Sequence, residues 1–338
     1  MNRLTVELKE KSYDIVIDRG GLERAGEYFN LNRKVLIVSD EGVPSEYIET
    51  LWGQCKEGYL MTVSEGEVSK SFATYSRVCA YLLDQSFSRK DCIVAIGGGV
   101  VGDLAGFVAA TFMRGIDFYN IPTTTLSQID SSIGGKVAIN LEGYKNMVGA
   151  FYQPRGVLID SDTLKTLSRR HFYNGLVEAL KAGLIYDEEL FAIFKEGKME
   201  ALLDEVIYRS LVVKKAIVEE DETEQSLRKI LNFGHTLGHG IESYYGLGEI
   251  YHGECVAMGM LPMIENKELK GQVEKILHKM HIKTKTSFDI DTVMRLIEKD
   301  KKGSGGHITI VKLEKVGSTS LVRIPKAELR HYLEEVKK

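Results

Sequence analysis

The chain has 338 residues, 43% hydrophobic and 27% charged, with a formal net charge of −4 at pH 7. That balance argues against a fibrous or disordered chain, and the lack of a basic stripe or basic amphipathic run argues against partners such as nucleic acid or a membrane surface. Small molecules are the expected partners, and the length predicts two domains with a ligand cleft between them.

The opening "MNRLTVELKEKSYDIVID" alternates apolar and polar residues like a strand and lacks the apolar block of a signal peptide; no apolar run approaches a membrane span. Cys55, Cys79, Cys92 and Cys255 have no C-x-x-C spacing and read as free thiols of a reducing compartment, so a cytoplasmic location is expected. "KVLIVSD", "PSEYIETLWGQC", "SFATYSRVCAYLLDQS" and "DCIVAIGGG" then alternate β-rich and helical runs, leading into a helix near Asp103. This pattern predicts an α/β domain with a mostly parallel sheet over residues 1–160. From 161 to 338 the texture changes to apolar residues at three-to-four spacing, as in "LVEALKAGLIYDEELFAIF" and "VIYRSLVVKKAIVEEDE", which predicts a mainly α-helical domain. "HITIVKLEKVGSTSLVRI" reads as two strands around "KVGS", and "KAELRHYLEEVKK" as a final helix.

In "AIGGGVVGD" the glycines fall at a strand-to-helix turn, where residues without Cβ let backbone N–H groups approach a pyrophosphate. Gly97, Gly99 and Gly102 fit G-x-G-x-x-G, although other strands precede this unit, and a tight turn needing positive φ accounts for the glycines as well. Asp40 ends an earlier strand, where a carboxylate meets a ribose hydroxyl or simply caps a loop.

"LNFGHTLGHGIE" places His235 and His239 on one helical face, and His252 follows in "YHGE". With Glu178 of "NGLVEALKAGLI", which shares a face with Lys181, His235 and His252 would offer a divalent metal one oxygen and two nitrogens and leave positions open for substrate. Ordinary helix-surface or core histidines are the competing reading. Arg114, Lys136, Lys145, Lys214, Arg228 and Lys301 are surface charges on generic grounds; gathered in one cleft they suit a substrate bearing phosphate and carboxylate.

Taken together, "GGGVVGDLAGFVAATFMRG", "IPTTTLSQIDSSIGGKVAIN", "KNMVGAFYQP", "GLVEALKAGLI" and "LRKILNFGHTLGHGIE" with "HGE" resemble the 3-dehydroquinate synthases, in order from about residue 34 to 313. The resemblance implies a Rossmann-like NAD-binding domain, a mainly helical metal- and substrate-binding domain, and a homodimer. It implies NAD and Zn2+ or Co2+ as cofactors, and a phosphorylated sugar acid, 3-deoxy-D-arabino-heptulosonate 7-phosphate, as substrate. That substrate would become 3-dehydroquinate and phosphate by oxidation, phosphate β-elimination, re-reduction, ring opening and aldol closure.

By matching position the resemblance implies metal ligands Glu178, His235 and His252. For the nucleotide it implies Asp40, the loop Glu65, Gly66, Glu67, Val68, Ser69 and Lys70, and the turn Gly98, Gly99, Val100, Val101, Gly102 and Asp103. Thr123, Thr124, Lys136, Lys145 and the segment Thr163, Leu164, Lys165 and Thr166 complete that set. Substrate contacts would be Asp130, Lys136, Asn146, Lys181, Lys214, Arg228, Asn232, His239 and Lys301 or its neighbour Lys302, with Arg114 contributed across a dimer interface. Ala182 stands where an aromatic residue is common, and "EGEVSK" is an abbreviated match. The alternatives are another sugar phosphate cyclase, of the 2-deoxy-scyllo-inosose or valiolone type, and a metal-dependent polyol dehydrogenase; Arg228 and Asn232 favour the shikimate substrate. A non-catalytic dinucleotide- or metal-binding regulator is a further, weaker reading.

Overall fold

The alternating N-terminal stretch folds as two strands rather than one, β1 (Asn2–Val6) and β2 (Tyr13–Ile17), paired antiparallel across a 3-10 turn at Lys9–Lys11. The structure, a computed structural model, describes residues 1–246, 248–300 and 305–338. They form two units, Met1–Ser168 and Arg169–Lys338. Among the described residues no helix is long and apolar enough to cross a membrane.

The first unit continues with β3 (Lys34–Asp40), β4 (Glu57–Val63), β5 (Cys92–Gly97), β6 (Asp117–Pro122), a hairpin of β7 (Lys136–Leu141) and β8 (Tyr144–Phe151), and β9 (Gly156–Ile159). Its helices are α1 (Ala25–Tyr28), α2 (Ser45–Trp52), α3 (Phe72–Asp84) and α4 (Gly99–Thr111). The main sheet runs β1-β2-β9-β6-β5-β3-β4, parallel except for the β1–β2 pair.

Alternation along the buried strands assigns each side chain to a face. Leu36, Val38, Ile93 and Ala95 pack with Val78 and Leu82 of α3 and Val101, Leu104 and Val108 of α4. Val35, Ile37, Val94 and Ile96 pack on the other face with Leu22, Ala25, Ile48 and Leu51. A strand buried on both faces has no room for polar alternation, which explains the unbroken apolar runs of "KVLIV" and "CIVAI"; each large aliphatic side chain buried there contributes about 2 kcal/mol.

The chain leaves β3 for β4 on one side and returns to β5 on the other. The carboxyl ends of β3 and β5, at Asp40 and Gly97, therefore flank the point where strand order reverses, the crevice in which open α/β sheets bind ligands. Helix α4 starts at Gly99, earlier than the expected start near Asp103, because Gly98 already serves as its N-cap.

The second unit contains α5 (Arg169–Ile185), α6 (Glu188–Glu196), α7 (Leu203–Glu220), α8 (His235–Tyr245), α9 (His252–Met260), α10 (Lys267–Lys279), α11 (Ile290–Asp300) and α12 (Leu329–Val336). The run "LVEALKAGLIYDEELFAIF" breaks into two helices because Asp187 accepts hydrogen bonds from the Glu189 and Leu190 N–H groups at 3.0 and 2.9 Å and caps α6. The expected hairpin is present as β10 (His307–Lys315) and β11 (Ser318–Pro325). The units divide after Ser168, past the expected boundary at 160/161. Asp160 accepts from the Gly20 and Leu22 N–H groups, and Gln128 Nε2 donates to Asp160 O and Thr163 Oγ1, so the 3-10 segment Ser161–Thr166 stays with the first unit.

Candidate active site

In the second unit, three helices bring four side chains together. Gly253 and Gly259 of α9 permit this approach: a Cβ on Gly253 would lie 2.1 Å from Asn174 O, and one on Gly259 1.9 Å from Gly234 O. Asn174 Oδ1 accepts from the Gly253 N–H at 2.6 Å, pinning the start of α9 to α5 one turn before Glu178. Arg170, one turn earlier again, forms a two-point ion pair with Glu254 at 3.0 and 2.8 Å. Glu178 is thereby set against His252, and His235 and His239 approach from α8.

Glu178 is 2% exposed, and neither carboxylate oxygen makes a hydrogen bond of good geometry. Oε2 contacts Lys181 Nζ, while Oε1 stands 3.7 Å from His235 Nε2 and 3.6 Å from His252 Nε2. Lys181, itself 2% exposed, donates to Leu231 O at 2.8 Å. Burial opposes charge on Glu178, but Lys181, His235 and His252 hold its carboxyl well below the usual carboxylate range. His235 is pushed well below an ordinary histidine by burial and by Lys181. Burial also works against the charged form of His252, yet the neighbouring carboxylates of Glu178 and Glu242 raise it to about 10.

This donor set fits a divalent metal. His235 Nδ1 lies 3.1 Å from Phe233 O, and His252 Nδ1 lies 3.2 Å from Glu242 Oε2, so both rings direct Nε2 toward the orphaned Glu178 oxygen. Donors about 2.0–2.2 Å from zinc in tetrahedral geometry stand roughly 3.3–3.6 Å apart, close to the spacing found here. Ligand atoms of His235, His239 and His252 also lie within 4.8 Å of one another. His239 thus shares the site, as the helical spacing predicts.

Two more of the candidate cations are buried in this unit: Lys214 is 8% exposed and Arg228 2%. Asp221 organises the loop that carries Arg228 by accepting from the Gln225, Ser226 and Arg228 N–H groups at 2.8, 2.6 and 3.0 Å. Asn232 Nδ2 donates to Glu224 Oε1 at 2.7 Å. Lys301 and Lys302 lie outside the described residues.

In the first unit, none of Gly97, Gly98, Gly99 and Gly102 has positive φ, so the tight-turn reading of these glycines is overturned. Close approach requires them: a Cβ on Gly97 would lie 2.7 Å from Val101 Cγ2, and one on Gly99 2.9 Å from Ser131 Oγ. The Gly102 N–H bonds back to Gly98 O, leaving the N–H groups of Gly99, Val100 and Val101 with no partner inside the helix, a ready anion site at the switch point. Val101 and Leu164 are core residues, so only their backbones face solvent-side ligands.

Around this turn, Asp40 is buried at the end of β3, and burial raises its carboxyl above the usual range. A Cβ at Gly42 would lie 3.0 Å from Glu65 Cδ, which places the Glu65–Lys70 loop beside it; Gly66 has φ 90°, Val68 is exposed and Ser69 is buried. Thr124 packs on Gly98, and Thr123 and Thr163 are buried. Thr166 bonds Tyr47, while Lys165 is exposed and pairs with Asp162 at 2.9 Å. Gly134 and Gly135, at φ 96° and 64°, turn the chain from half-buried Asp130 into exposed Lys136 at the head of β7. Lys145 and Asn146 lie near the start of β8, and Arg114 is exposed on left-handed backbone at φ 68°. Sequence reasoning did not single out Asn174, Asp221, Glu242 or Glu254. The seven-residue interval from His235 to Glu242 along one helix face is the signal that could have found Glu242.

A parallel α/β unit with an anion-ready glycine turn, followed by a helical unit with a buried Glu–His centre, is the fold of the sugar phosphate cyclases. A structure of 2-deoxy-scyllo-inosose synthase complexed with carbaglucose-6-phosphate, NAD+ and Co2+ matches with a TM-score of 0.90, at 23% identity over 99% of this chain and 100% of that one. The 2-epi-5-epi-valiolone synthase from Streptomyces hygroscopicus subsp. jinggangensis 5008, with NAD+ and Zn2+ bound, matches at 0.87, 27% identical over 98% of each chain. Within that class, the family models for 3-dehydroquinate synthase, N-terminal and C-terminal, match residues 60–174 and 175–303. The 3-dehydroquinate synthase of Streptococcus mutans serotype c is 41% identical over 98% of this chain and 100% of its own length. The chain belongs to the 3-dehydroquinate synthase family.

Proposed function

We propose that the Glu178–His235–His252 cluster is the metal centre at which this chain turns 3-deoxy-D-arabino-heptulosonate 7-phosphate into 3-dehydroquinate and phosphate. The observation that carries the reading is the buried Glu178 oxygen facing two Nε2 atoms whose rings are anchored through Nδ1. NAD and a divalent metal, Zn2+ or Co2+, are the cofactors, as in the two cyclase structures above.

When bound, NAD supplies a reversible hydride acceptor and the metal a Lewis acid for the carbon-5 hydroxyl. The chain's own part is to hold and orient. Glu178, His235 and His252 are the ligands, and His239 hydrogen-bonds substrate. Lys136 and Asn146, with Asp130, hold the phosphate where elimination needs it, and the substrate's own phosphate takes the proton that elimination releases. Lys214 and Arg228 fix the carboxylate, Lys181 and Asn232 hold ring hydroxyls, and the Lys301–Lys302 segment adds a cation. Held this way, the later ring opening and aldol closure need little further help from side chains. Asp40, the 65–70 loop, the 98–103 turn, Thr123, Thr124, Lys145 and the 163–166 segment hold the nucleotide. The reading includes a homodimer in which Arg114, on left-handed backbone, reaches the partner's site. We place the protein in the cytoplasm.

Identity favours the shikimate substrate over those of the other cyclases, at 41% against 27% and 23%. Purified protein with NAD and zinc, offered this substrate, glucose 6-phosphate, sedoheptulose 7-phosphate and glycerol in parallel, should turn over only the first. Turnover of another sugar phosphate alone, or NADH formation from glycerol, would overturn the assignment.

A further inference from the structure

Lys70 is 3% exposed. Nζ donates to Asp103 Oδ2 at 2.5 Å, contacts Asn146 Oδ1, and lies 3.7 Å from Glu67 Oε1. Asp103 is in the second turn of α4, just behind the glycine turn, and Asn146 is the third residue of β8, close to the β7–β8 turn. The hairpin is tied back to the same lysine through a third residue. Asn140 N–H donates to Lys70 O at 2.8 Å, Asn140 Oδ1 accepts from the Asn146 N–H at 2.9 Å, and Asn140 Nδ2 donates to Glu67 Oε1 at 3.2 Å. Lys70, Asn140 and Asn146 therefore close a ring of hydrogen bonds with Asp103 attached to it.

That ring also holds a left-handed backbone position. Asn146 sits at φ 57°, left-handed backbone that asparagine adopts more readily than most L-residues, opposite the point where the β7–β8 register shifts. Here both its N–H and its side-chain oxygen are claimed by the ring, so its Nδ2 is left to point elsewhere.

We propose that Lys70, besides lying in the nucleotide loop, is a positioning residue: one buried ammonium sets the glycine-turn helix and the substrate-holding Asn146 in register. This rests on the reading that Asn146 contacts substrate and that the glycine turn holds NAD. The coupling links occupancy of the nucleotide turn to placement of the phosphate that is to leave.

Lys70→Met keeps the apolar stem as far as Cε and removes the donor. By calorimetry and steady-state kinetics it should raise both the NAD Kd and the substrate KM about tenfold, with strong non-additivity in a cycle with Asn146→Ala. Asn140→Ala breaks the ring at a residue assigned no ligand and covers the case in which the lysine variant fails to fold; it should raise KM while leaving the NAD Kd within about twofold. In protein free of any ligand, both variants should speed amide exchange at residues 144–148 about tenfold, a readout independent of the assigned reaction. A rise in the NAD Kd alone, additive effects with Asn146→Ala, and unchanged exchange of the hairpin would overturn the proposal.

Discussion

His252 Nδ1 lies 3.2 Å from Glu242 Oε2, a carboxylate on α8 that is itself not among the proposed ligands. This contact fixes the ring so that Nε2 faces Glu178, and it makes the imidazole a better donor. Glu242→Ala should weaken zinc binding by about 10- to 100-fold, the range typical for such outer carboxylates. Competition against a chromophoric chelator measures it, and an unchanged affinity would show that the contact is incidental.

Glu178 and His239 should separate cleanly. Glu178→Gln removes the anionic oxygen and should abolish stoichiometric metal, whereas His239→Ala should keep one metal per chain and lose about 100-fold or more in kcat. Because the three histidines also lie within ligand distance of one another, a histidine-only centre is the competing geometry. Atomic absorption after dialysis decides: metal retained by Glu178→Gln and lost by His239→Ala would reverse the roles.

Gly259→Ala should cost about 3 kcal/mol or more, since its Cβ would meet a backbone oxygen that cannot swing aside. The expected result is a lowered thermal midpoint together with loss of metal, because the contact between α8 and α9 is what aligns His235 with His252. A variant of native stability would mean that these helices have room to part.

Much of this arrangement was legible in the residues. The apolar runs of β3 and β5 and the helical spacing of His235 and His239 follow from period alone. The partners that tune the site did not, because His252 and Glu242 meet through a helix pairing set by glycines, and nothing in the spacing of "GHGIE" and "YHGE" fixes how closely two helices approach. The resemblance assigns Lys70 of "EGEVSK" to the nucleotide, and nothing local in that phrase shows its burial, which comes from a hairpin some seventy residues later. The N-terminal pair was read as one strand because alternation continues through "ELKEKS", where the chain in fact turns at Lys9 with φ 43°.

Acid should loosen the loop that carries Arg228. Burial works to raise the Asp221 carboxyl, but three backbone N–H groups overcome it and hold it below its usual value. A carboxyl depressed in the folded state stabilises the fold above its unfolded pKa of about 3.9 and loses that contribution as pH falls through the lower folded value. Asp221→Asn should therefore cost about 1–3 kcal/mol at pH 7 and progressively less toward pH 3. Denaturant melts of both proteins across that range test it; a pH-independent difference would contradict the sign.

The stoichiometry of one reaction decides whether this chain recycles NAD while it eliminates phosphate. Metal-loaded protein with NAD and 3-deoxy-D-arabino-heptulosonate 7-phosphate should release phosphate and form 3-dehydroquinate in equal amounts while absorbance at the NADH band stays flat. Accumulating NADH with little phosphate would make the chain a dehydrogenase, and no phosphate from folded, metal-loaded protein would contradict the account.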